Sequence, residues 1–124
     1  MEDPKMRTSP DGVRRADRSN RYRESGRFAK TAAYTVLLAE NGRAFSNAGA
    51  GGPVTFTLPT DSTVPVGWWA DFFVEAAQSL VLAAVSINNA ATLTAAGTQN
   101  GIGYARVVMG GDGKYRAQLV GTWT

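Results

Sequence analysis

The chain has 124 residues, enough for one domain with a modest core, and 44% of them are hydrophobic against 19% charged. It has no cysteine and no histidine, which excludes disulfides, thiolate metal sites and histidine-based acid–base chemistry. Charge is unevenly spread: residues 1–30 hold nine Lys/Arg against five Asp/Glu, and residues 31–124 hold four against five.

Residues 1–30 form an extended basic N-terminal arm ahead of a β domain spanning 31–124. The apolar residues of the arm keep no sustained period, and Pro4, Pro10 and Asp11-Gly12 break any early element. Such a composition favours disorder in isolation, so order here would come from the folded domain, sister copies or another protein. From Thr31 onward the pattern turns to strands. Tyr34 to Glu40 is strand-like, and Asn41-Gly42 after it signals a type I′ hairpin returning through Ala44-Phe45-Ser46. A bare loop follows, Asn47-Ala48-Gly49-Ala50-Gly51-Gly52. Val54, Phe56 and Leu58 then alternate with Thr55 and Thr57, a period of two with one buried face.

In the next strand, Trp68, Ala70, Phe72 and Val74 point to one side and Asp71 and Glu75 to the other. Leu80 to Ser86 is an apolar run closed by an Asn88-Asn89 turn. Ala90 to Thr94 and Ile102 to Met109 are further strands. Gly110-Gly111-Asp112-Gly113 makes a hairpin turn into Tyr115 to Trp123. Seven or eight short strands at about ten-residue spacing predict an all-β fold, a small antiparallel sandwich, jelly-roll-like or barrel domain. The longest apolar stretch, Leu80 to Ile87, falls far short of the ~20 residues that cross a bilayer, and the N-terminus lacks the apolar core of a secretory signal. No membrane association is expected.

Each candidate chemistry meets a simpler reading. The loop Asn47 to Gly52 has no lysine and leads into a strand, unlike a phosphate loop, and reads as a tight connection with backbone against backbone. Gly110 to Lys114 sits between alternating flanks and reads as a hairpin; Asp112 alone supplies too few oxygens for calcium. Asp71 and Glu75 lie roughly 13 Å apart along one strand, too far for paired-carboxylate hydrolysis. The only lysine after residue 30 is Lys114, in a turn. No enzyme, cofactor or metal site is expected.

Two features remain. Trp68-Trp69 with Phe72-Phe73 is the densest aromatic cluster. Consecutive strand residues face opposite ways, so one tryptophan packs inside and the other meets a partner; Trp68, Trp69 and Phe73 are the candidate subunit contacts. The arm carries Arg14, Arg15, Arg18, Arg21, Tyr22, Arg23 and Arg27, the candidate docking residues. Interleaved Asp11, Asp17 and Glu24 blunt its field, which favours docking on an acidic protein over binding nucleic acid.

The stretch Phe45-Ser46-Asn47-Ala48-Gly49-Ala50-Gly51-Gly52-Pro53-Val54-Thr55-Phe56-Thr57-Leu58-Pro59 resembles a pattern of tailed-bacteriophage virion proteins. There a Phe-x-Asn-x-Gly-Ala-x-Gly loop precedes Val-x-Phe-x-Leu-Pro. The likeness extends to Val74 through Leu80 and to the closing Gly121-Thr122-Trp123-Thr124; it covers about residues 34–124 and leaves the arm unmatched. Trp68-Trp69 and the arm depart from the pattern. The resemblance implies a small β-module of a decorating or fibre-like virion protein, often trimeric. The expectation is a capsid decoration or cement protein, made in the host cytoplasm and assembled as a homotrimer on the capsid outer surface. Its partner would be the major capsid protein, held by the arm. Two alternatives stand beside it: a fibre or receptor-binding module reading a host glycan, and a nucleic-acid-binding protein using the arm.

Overall fold

The computed structural model describes residues 26–97 and 102–124. Among them are nine strands: β1 (Arg27–Ala29), β2 (Tyr34–Thr35), β3 (Ala44–Ser46), β4 (Val54–Thr57), β5 (Trp69–Phe73), β6 (Leu80–Ile87), β7 (Ala90–Ala95), β8 (Tyr104–Met109) and β9 (Tyr115–Val120). They form one curled, mixed half-barrel sheet in the order β1-β3-β5-β8-β9-β6-β4-β2, with β7 paired to β6. The all-β expectation holds.

The expected antiparallel arrangement does not. β1, β3 and β5 pair in parallel on one side, and β2, β4 and β6 pair in parallel on the other. The chain alternates between these two stacks, so β1–β2, β3–β4 and β5–β6 are three successive coils laid one on another. The reason lies in the connections. Most of them lead from one stack to the other instead of turning back, and the strands that follow one another within a stack run the same way. Among the described residues only Asn88-Asn89 and the Gly110 to Lys114 turn join neighbours directly, giving the antiparallel pairs β6–β7 and β8–β9; β5–β8 is antiparallel as well, without a direct turn. Both asparagines take positive φ, 48° and 67°, as a type I′ turn requires.

Asn41-Gly42 corrects a second expectation. It is no hairpin, because β3 pairs with β1 and β5 and not with β2. Asn41 is extended at φ −54°, ψ 131°, and only Gly42 is left-handed at +80°, which is a type II turn. Before it, Leu38–Glu40 forms a 3-10 turn where a continuous strand was expected. The turn leans on β5: the Gly42 amide donates to the Trp69 carbonyl at 2.7 Å, and Asn41 Oδ1 accepts from the Trp69 amide at 2.9 Å.

Geometry forces the curl. β1 and β2 stand at opposite ends of the strand order, which would separate them by ~34 Å in a flat sheet. The short link 30–33 reaches ~17 Å at most between the two strands. The two stacks therefore close on each other through aromatic rings. Phe28, Phe45 and Phe72 are in register, one per coil, and face Tyr34, Phe56 and Leu82, also in register. The Phe45 and Phe72 rings stack at 5.6 Å and 19°. Across the core, Phe56 lies 5.7 Å from Phe45 and 5.2 Å from Phe72. The β8–β9 hairpin closes the third coil, with Ala105 and Val107 fully buried against it.

The loop Asn47 to Gly52 is held by its first residue. Asn47 is fully buried; its Oδ1 accepts from the Glu75 and Ala76 amides at 2.7 and 2.9 Å, and its Nδ2 donates to the Gln78 carbonyl at 3.0 Å. The side chain thus stitches the second coil to the third. Gly49 is needed for its φ of +82° in the turn closed by the Ala50 amide on the Asn47 carbonyl. Gly51 and Gly52 face open space. The expected backbone-to-backbone crowding is therefore absent at these two glycines among the described residues.

Candidate functional site

Alternation along β5 sends Trp69, Asp71 and Phe73 outward while Ala70 and Phe72 go inward, and β8 brings Tyr104 and Arg106 to the same outer face. The result is a continuous line of paired groups. The Arg106 guanidinium lies 4.4 Å over the Trp69 ring and donates from Nε and Nη2 to the two oxygens of Asp71, at 2.8 and 3.0 Å. The Tyr104 hydroxyl donates to Asp71 Oδ1 at 2.9 Å, and its ring packs 4.9 Å from Phe73. The Arg27 guanidinium covers the other part of Phe73 at 3.7 Å and pairs with Glu75, which also accepts from Ser46 Oγ at 2.5 Å. Burial, and then the bond to Asp71, push the Tyr104 hydroxyl above the usual tyrosine range; the same carboxylate holds Arg106 protonated still more firmly than usual.

These positions sort the expected contact residues. Trp68 is 2% exposed, and its Nε1 donates to the Leu38 carbonyl at 2.9 Å. Of the two tryptophans it is the one that packs inside. Trp69 is the outward member of the pair, under Arg106 and against Gly42. Phe73 is half-buried between Tyr104 and Arg27. Arg27 itself belongs to strand β1 and not to an extended arm, because β1 pairs in parallel with β3. Arg14, Arg15, Arg18, Arg21, Tyr22 and Arg23 lie outside the described residues.

Every carboxylate whose side chain is described is engaged from within the fold. Asp71 is taken by Arg106 and Tyr104, and Glu75 by Arg27 and Ser46. Glu40 is buried and accepts from the Tyr34 hydroxyl at 2.8 Å and the Leu37 amide at 2.8 Å, with Arg43 3.6 Å away. The bond to Glu40 raises the Tyr34 hydroxyl above its ordinary range. Asp112 accepts from Arg116 at 2.6 Å, which holds its pKa below the ordinary aspartate value. By contrast Lys30 meets only a ring, its ammonium 4.0 Å over Tyr34, with no carboxylate partner among the described residues.

The sequence does not reveal two of these pairs, because their partners are far apart in the chain: Arg27 and Glu75, Asp71 and Arg106. The one legible sign was the parity of Asp71, Phe73 and Glu75 on a single strand face. The chain matches no protein-family model, and no curated protein is similar to it at a significant level.

Proposed function

We propose that the chain is a structural protein of a tailed-phage virion, a decoration or cement protein that binds the assembled shell and stabilises it. In this reading the half-barrel is a barrel-like head unit, a homotrimer forms on the capsid outer surface, and the residues ahead of β1 are an arm docked on the major capsid protein. The observation that carries it is a mismatch of charge. Residues 14–43 hold eight Lys/Arg against three Asp/Glu, while residues 44–124 hold three against four. The described carboxylates of the fold are already taken by its own side chains. The arm holds more arginines than acids, and that excess would pair bidentately through its guanidinium forks with an acidic surface outside the chain. Binding only the assembled shell stabilises it by mass action. The resemblance at residues 45–59 points the same way.

Co-sedimentation with capsids of the encoding phage, assembled without this protein, tests the reading. The full chain is expected to pellet with the capsids, and a chain starting at Gly26, which keeps β1, is expected to bind far more weakly. Equal binding of the two chains would remove the arm from the account. Absence of binding by the full chain would sink the decoration reading.

A further inference from the structure

We propose that the first coil, residues 27–43, is the platform on which the domain seats against an acidic protein surface; this rests on the shell-docking reading above. The three coils end differently. The third is covered by the β8–β9 hairpin. The first has nothing over it among the described residues: β1 and β2 are the two ends of the strand order, each paired on one side only. Open strand edges recruit other chains unless something blunts them.

Here cations lie over two rings, one exposed and one partly buried. Phe28, 37% exposed, lies under the Arg43 guanidinium at 4.7 Å, and Tyr34 lies under the Lys30 ammonium at 4.0 Å. The only acid of the coil, Glu40, is buried and engaged by Tyr34, the Leu37 amide and Arg43. What the coil presents outward is therefore positive charge together with apolar surface from Phe28, Leu37 at 56% exposed and Leu38 at 43% exposed. The basic arm joins the domain at this same edge, immediately before Arg27, so arm and coil make one cationic tract in the sequence.

That combination selects the occupant. A second copy of this end would bring like charge against like charge. Duplex nucleic acid would match the charge but offers a hydrated phosphate surface, with little to bury Phe28 and Leu37. A protein surface with carboxylates around apolar side chains matches both, in the manner of an interface with an apolar centre and a charged rim.

The test uses the full-length chain and the capsids described above, with duplex DNA as a second probe. Lys30→Glu and Leu37→Glu alter the first coil; Lys114→Glu, in the β8–β9 turn outside that coil, is the reference variant. Each first-coil variant is expected to lose about 10-fold in capsid affinity, as removal of a matched rim charge or a buried anchor does, while Lys114→Glu binds like the native chain. A thermal melt by circular dichroism checks that the variants fold. If Lys30→Glu does not fold, Lys30→Gln replaces it, with a smaller loss of about 3-fold expected. Native-like binding by folded variants at both positions would overturn the platform and leave shell docking standing. If the native chain ignores capsids and binds duplex DNA with a steep salt dependence, both readings fail together.

Discussion

The two ends of the coil stack are built from similar strands and differ in what covers them. At the third coil Phe72 is fully buried, flanked by Phe45 on one side and the β8–β9 hairpin on the other. At the first coil Phe28 occupies the same register position with more than a third of its surface open. One end is finished by apolar packing, the other by Lys30 and Arg43 laid over rings. The difference teaches that aromatic burial is complete at the closed end, while the open end keeps exposed apolar and cationic groups.

Substitutions sharpen that contrast. Phe72→Ala is expected to cost about 4 kcal/mol in denaturant unfolding, the range for a buried aromatic. Phe28→Ala, at the open end, should cost under about 1 kcal/mol; a comparable loss would mean the open end is as structural as the closed one. Asn47→Ala orphans two partly buried amides and a carbonyl that join the second and third coils, and about 2 kcal/mol is expected. If it melts like the native chain, Asn47 is not the stitch described here. A double-mutant cycle of Asp71→Asn with Arg106→Gln should show a favourable but modest coupling, because Arg106 is half exposed although the pair is bidentate.

Smaller effects come from the turn and from titration. Gly49→Ala should cost about 1 kcal/mol through its positive φ, whereas Gly51→Ala, facing open space, should be neutral or slightly stabilising. Tyr34 and Tyr104 both titrate above the ordinary tyrosine value of 10.0 in the fold. Their contribution is therefore complete below that pH and is lost as pH rises through the folded values. Thermal melts between neutral pH and pH 11 should show an alkaline decline that Tyr104→Phe makes shallower; an unchanged slope would separate Tyr104 from it.

The period of two made much of this fold legible. Val54, Phe56 and Leu58, and Trp68, Ala70, Phe72 and Val74, are buried as their spacing predicts. Asn88-Asn89 and the Gly110 turn also lie where their chemistry places them. Parallel pairing was not legible, because it depends on where a chain lands after passing from one stack to the other, and residues 30–33 carry no mark of that. Asn41-Gly42 misled because the same dipeptide suits a type II turn when only the glycine takes positive φ. Asn47 was hidden inside a run of small residues, and its partners at 75–78 lie a whole coil away. Of the candidate site, the excess of cations was plain in the sequence; that the fold neutralises its own acids required the register of β5 with β8 and of β1 with β3.

The most direct measurement is the temperature at which capsids assembled without this protein come apart, recorded against increasing concentrations of the full chain. The expected result is a disruption temperature that climbs with concentration and levels off when the sites fill, as preferential binding to the intact shell requires. A disruption temperature that stays flat while the chain is bound to the capsids would contradict the cement reading.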